Sequence, residues 1–144
     1  FGGDVSNAFA EAPGPTKLCY VKPDKAFQNW WTKHKNRPPL QEDEVITIRK
    51  AFQGHPEAGR AWSKHSDKIL KEIGFVPTTH EPSLYSGEVD GERVLILRQV
   101  DDFAIAAPTE SITNVIFDKI DDHLTFPIKR LGLLKLFNGV DIDQ

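Results

Sequence analysis

The sequence predicts an α+β fold, an antiparallel sheet with helices packed on one face, of split βαβ type. Three observations predict it. Residues 57–73 and 110–124 carry apolar side chains at helical spacing. Between 84 and 107 lie short apolar segments, broken by an Asp-Gly turn. The two kinds of segment follow one another as strand, helix, strand, strand, helix, strand.

Taken in order, the first turn signals are Ala12-Pro13-Gly14-Pro15 and Arg37-Pro38-Pro39. Between them, Lys17–Lys22 reads as a short strand through Leu18, Tyr20 and Val21, with Cys19 as a small strand hydrophobe. Asp24–Lys35 reads as a helix carrying Phe27, Trp30 and Trp31, expected to bury its tryptophans. Glu42-Asp43-Glu44 is a solvated loop, and the β-branched run Val45-Ile46-Thr47-Ile48 is a strand. In the stretch 57–73, Ala58, Ala61, Trp62, His65, Ile69 and Ile73 share a face, and Gly74 suits a left-handed cap. Leu84-Tyr85, Arg93–Val100 and Phe103–Ala107 are strands, with Asp90-Gly91 turning the first into the second. Thr109 caps a helix that runs through Ile112, Val115, Ile116, Ile120 and Leu124, and Leu136–Ile142 is a last strand.

The 144 residues hold 18 Lys and Arg against 21 Asp and Glu, a formal charge of −3. Nucleic acid held by bulk positive charge alone is excluded, so any polyanion contact must be local. One cysteine excludes an intrachain disulfide and a multi-cysteine zinc site, and the five histidines show no i, i+4 pair. No apolar run approaches the roughly 18 residues of a membrane span, so no membrane partner is expected. The chain opens on Phe1 and contains no methionine, which leads to the expectation of a piece of a longer translation product. The single cysteine and the lack of a signal-peptide layout lead to the expectation of an intracellular, cytoplasmic or nuclear setting.

Chemistry concentrates at Arg98-Gln99-Val100-Asp101-Asp102-Phe103. Adjacent carboxylates between apolar strands repel one another, so they need either a cation or a water-facing turn. Asp4 ends another short segment and on its own reads equally as a turn or cap residue. Brought together, the three would offer hard oxygen ligands to Mg²⁺ or Mn²⁺, and two such ions can flank a phosphoryl centre.

Read together, the segments resemble the reverse transcriptase region of copia-type LTR retrotransposons. Asp4-Val5-Ser6-Asn7-Ala8-Phe9 is similar to that family's first catalytic motif and Val100-Asp101-Asp102 to its Val-Asp-Asp motif. Arg49–Gly54 through Arg60-Ala61-Trp62, Glu81–Tyr85 and Lys135–Val140 resemble further motifs in the same order. Gln99 stands where the family shows Tyr, Pro56 where it shows Lys, Gly59 where it shows Pro and Asn138 where it shows Leu.

The resemblance implies an RNA-directed DNA polymerase in which Asp4, Asp101, Asp102 and the Val5 carbonyl hold two Mg²⁺ or Mn²⁺ ions. It makes Phe9 the gate against ribose, puts Gln53 and Gly54 beside the incoming dNTP and template, and makes Phe137, Asn138 and Gly139 the primer grip. Lys129 becomes a candidate general acid toward pyrophosphate. The implied partners are an RNA or DNA template with primer, dNTPs, and the remaining polyprotein regions: fingers, thumb and RNase H. A single domain is implied, with palm at 1–12 and 57–142 and partial fingers at 13–56, expected to be inactive in isolation. The competing expectation is a non-catalytic remnant that binds RNA or a protein.

Overall fold

Where apolar residues recur at helical spacing, helices form. The computed structural model describes residues 1–143. In chain order its elements are β1 (Gly2–Asp4), α1 (Ala8–Glu11), β2 (Tyr20–Val21), α2 (Lys25–Lys35), β3 (Ile46–Thr47), α3 (Ala58–Glu72) and β4 (Val76–Pro77). They continue with β5 (Leu84–Val89), β6 (Glu92–Gln99), β7 (Asp102–Ala106), α4 (Glu110–Asp121), β8 (Lys129–Gly132), β9 (Leu136–Phe137) and β10 (Val140–Asp141). Thr109 caps α4 by accepting the Ile112 N–H at 3.3 Å. Gly74, at φ +98°, ends the α3 segment as expected.

Six strands form one antiparallel sheet in the order β4-β5-β6-β7-β1-β8. Alternation decides its faces. Val94, Ile96, Phe103 and Ile105 point to one side and join Trp62, Ile69 and Leu70 of α3 and Ile112, Ile116, Phe117 and Ile120 of α4 in a single buried cluster. On the other side Leu84, Leu95, Leu97, Ala104 and Ala106 line an open groove of about 660 Å³. Glu11 is buried and its carboxylate accepts the Thr125 and Phe126 N–H groups, tying α1 to the chain leaving α4.

Four expectations change. The strand at 17–22 shortens to Tyr20–Val21, which pairs with Ile46–Thr47 in a separate ribbon and leaves Cys19 outside it. The helix at 110–124 stops at Asp121, and an edge strand, β8, follows it. The strand expected at 136–142 is a hairpin, because Asn138 at φ +50° and Gly139 at φ +78° reverse the chain. Helix α2 forms with Asp24 as its cap, but none of its residues is buried, and Trp31 is only half-buried.

Gly3 sits where β1 passes under α4. A Cβ there would stand 2.6 Å from Phe117 and 2.7 Å from Ile128, both buried. Gly3→Val is therefore expected to destabilise by about 1–3 kcal/mol, lowering the melting temperature by roughly 3–10 °C in thermal denaturation. An unchanged midpoint would show that α4 and β8 yield freely at this point.

Candidate active site

Register brings the carboxylates together. In the pairing of β1 with β7, Asp4 lies opposite Asp102, and in the pairing of β6 with β7, Gln99 lies opposite Asp102. On the other edge Lys129 of β8 lies opposite Asp4. Directly opposed residues share a sheet face with Cβ atoms about 4.5–5.5 Å apart. The result is a row across four strands, Lys129, Asp4, Asp102 and Gln99. Gly3 and Phe103, the next opposed pair, face the helices. The row therefore faces away from them.

Asp101 joins this row through the backbone. Its carbonyl accepts the Val5 N–H at 2.9 Å, so the segment leaving Asp4 is tied to the turn between β6 and β7. That turn has two loop residues, Val100 and Asp101, and Val100 adopts φ +53°. A two-residue hairpin calls for positive φ at its first loop position, where Gly or Asn is usual and a β-branched residue is strained. The buried indole of Trp62 on α3 donates its N–H to the Val100 carbonyl at 2.6 Å and holds the turn from behind. Sequence reading assigned Trp62 only to a core face. Its polar partner is a backbone carbonyl 38 positions away, which no local pattern reveals.

Burial pushes the Asp102 carboxyl above its usual range, and the nearby charges of Asp101 and Asp4 push it the same way. Among the described residues none of the three carboxylates has a salt-bridge partner. The donor set fits a hard divalent cation, which would relieve that repulsion. As the side chains lie, no group of three His, Cys, Asp or Glu among the described residues stands close enough to hold a metal ion. The strand register brings Asp4 and Asp102 to opposed positions without bringing the three carboxylates to one point.

The other sequence-predicted residues take varied positions. Val5 is buried, and Phe9 is half-buried against the core cluster. Phe137 and Asn138 line a cavity of about 220 Å³ together with Asp102, Gly3, Leu131 and Leu134, which places the hairpin beside the carboxylate row. Gly139 closes that hairpin. Lys129 is exposed at the end of the row. Gln53 and Gly54 lie in an exposed turn before α3, with Gly54 at φ +92° and open space at its Cβ position. Among the described residues neither hydrogen-bonds to the carboxylates.

An antiparallel sheet with helices on one side and opposed carboxylates on the other is compatible with a polymerase palm. The chain belongs to the reverse transcriptase (RNA-dependent DNA polymerase) family, which it matches over residues 4–144. It is similar to a putative transposon Ty5-1 protein of Saccharomyces cerevisiae, 30% identical over 143 residues, covering 98% of this chain and 42% of that protein. It is also similar to retrovirus-related Pol polyproteins from transposons RE1 and RE2 of Arabidopsis thaliana. Each is 28% identical over 138 residues, covering 96% of this chain and 9% of the polyprotein. The chain thus spans less than half the length of these relatives. No solved structure matches it. The resemblance to a retrotransposon reverse transcriptase is borne out.

Proposed function

We propose that this chain forms the palm, residues 1–12 and 57–142, and part of the fingers, residues 13–56, of an RNA-directed DNA polymerase from a copia-type retrotransposon polyprotein. The observation that carries the reading is the opposition of Asp4 and Asp102 on neighbouring strands, with Asp101 tied to Val5 by a backbone hydrogen bond. The strand order supports a split βαβ description: β1 and β6 run parallel with β7 between them, and β7 and β8 run parallel with β1 between them.

In this reading Asp4, Asp101, Asp102 and the Val5 carbonyl hold two Mg²⁺ or Mn²⁺ ions. Such ions, when bound, favour attack of a primer 3′-hydroxyl on the α-phosphate of a dNTP and stabilise the departing pyrophosphate. Phe9, backed by the core, presents a fixed surface against a ribose 2′-hydroxyl. Phe137, Asn138 and Gly139 grip the primer end beside Asp102, as their shared cavity supports. Gln53 and Gly54 contact the incoming nucleotide and template, where a glycine lets backbone approach closely. Lys129, opposite Asp4 at the end of the carboxylate row, is in this reading the general acid toward pyrophosphate.

The test is primer extension on an RNA template with Mg²⁺. A polypeptide that carries this chain together with the neighbouring polyprotein regions should extend the primer, and the 144-residue chain alone should not. Robust synthesis by the chain alone would refute the expectation that the chain is inactive in isolation. A longer polypeptide that binds template but never extends it would favour the non-catalytic remnant.

A further inference from the structure

We infer that α2 is a contact surface for single-stranded nucleic acid. The helix carries Phe27, Trp30, Trp31 and His34 and buries no residue. Trp30 is 44% exposed and Phe27 37% exposed. The rings are ordered against each other: Phe27 stacks on Trp31 with centroids 5.9 Å apart, and Trp30 on His34 at 6.2 Å. Lys35 lies 5.5 Å from the Trp30 ring centre.

Large rings left in water need a partner. Charge decides which. From Lys25 to Gln41 the sequence holds Lys25, Lys33, Lys35 and Arg37 and no Asp or Glu, within a chain whose net charge is −3. Local positive charge beside exposed rings matches a phosphate backbone whose bases are free to stack. A duplex offers the phosphates but keeps its base faces covered, so the ring set selects single strands. An apolar protein surface would meet the rings but leave these bases without counter-charges. The helix is also pre-formed, with Asp24 accepting the Phe27 N–H at 2.7 Å, so little ordering accompanies binding. The surface goes beyond the polymerase reading and rests on it only for the source of the strand, an unpaired template.

Fluorescence anisotropy with a fluorescein-labelled single-stranded oligonucleotide of about 16 bases, the upper end of single-strand site sizes, tests it on the 144-residue chain. A duplex of the same length is the comparison. The chain should prefer the single strand. The double variant Trp30→Ala, Trp31→Ala should weaken binding at least tenfold, within the range for loss of base stacking. Lys33→Glu with Lys35→Glu should weaken it too and flatten its salt dependence. Because no residue of α2 is fully buried, circular dichroism should show both variants folded as the parent. The inference is overturned if the chain does not bind the single strand or if the tryptophan variant binds unchanged. It is also overturned if light scattering shows a dimer that the tryptophan variant abolishes, since a second copy would then cover α2.

Discussion

Asp102→Asn is expected to abolish Mn²⁺ binding by the chain and, in a polypeptide that extends primers, to slow synthesis by about 10³-fold, as loss of several kcal/mol of charge stabilisation requires. The same change should stabilise the metal-free chain near neutral pH. Burial and the charges of Asp101 and Asp4 raise the Asp102 carboxyl above its ordinary value of 3.8. The folded chain therefore holds this proton more tightly than the unfolded chain. The favourable contribution is present in full below pH 3.8 and is lost as pH rises through the raised folded value. Asn has no such proton. Melting curves of the two proteins should converge at the acid end and separate as pH rises, with the Asn variant the more stable. Mn²⁺ should then raise the parent's midpoint and leave the variant's unchanged. Retained Mn²⁺ binding by the variant, or a parent that gains stability relative to it on that rise, would sink the carboxylate assignment.

The second large effect belongs to Trp62. Trp62→Ala removes a fully buried ring and should destabilise by about 3–5 kcal/mol. Trp62→Phe keeps most of the ring and removes the N–H that holds the Val100 carbonyl. Two terms of similar size then compete. Positive φ at a β-branched residue costs roughly 1–2 kcal/mol, and one hydrogen bond returns about 0.5–1.5 kcal/mol. Without the bond only the β6–β7 ladder and the Val5–Asp101 hydrogen bond hold the strained turn, and Asp101 and Asp102 gain freedom to move with it. Mn²⁺ affinity should fall about tenfold, the equivalent of one such bond. Val100→Gly tolerates positive φ, so adding it to Trp62→Phe should recover much of that loss. Calorimetric Mn²⁺ titration checks this, with amide exchange at Val5 reporting the turn. If Trp62→Phe speeds exchange uniformly along β5–β7, the indole serves stability alone.

Much of the fold was legible because the signals were local. The periodicity of α3 and α4, the Thr109 cap of α4 and the Asp90-Gly91 turn, with φ +54° and +79°, need only neighbouring residues to specify them. The carboxylates were legible as letters, Asp4 and the Asp101-Asp102 pair. Their opposition was not, because it depends on β1 inserting between β7 and β8 from the far end of the chain. Helix α2 shows the opposite failure. Its apolar pattern reads as a buried face, yet burial is a property of what packs alongside, and no residue of α2 is buried.

By itself, then, the order of residues determined the helices, the tight turns and the kind of chemistry the acids could perform. Tertiary structure alone decided that Asp4 faces Asp102, that Trp62 props Val100 in its strained turn, and that the rings of α2 meet water. The reason is separation along the chain: helices and turns are specified within a few residues, whereas strand register and burial arise only when distant segments meet.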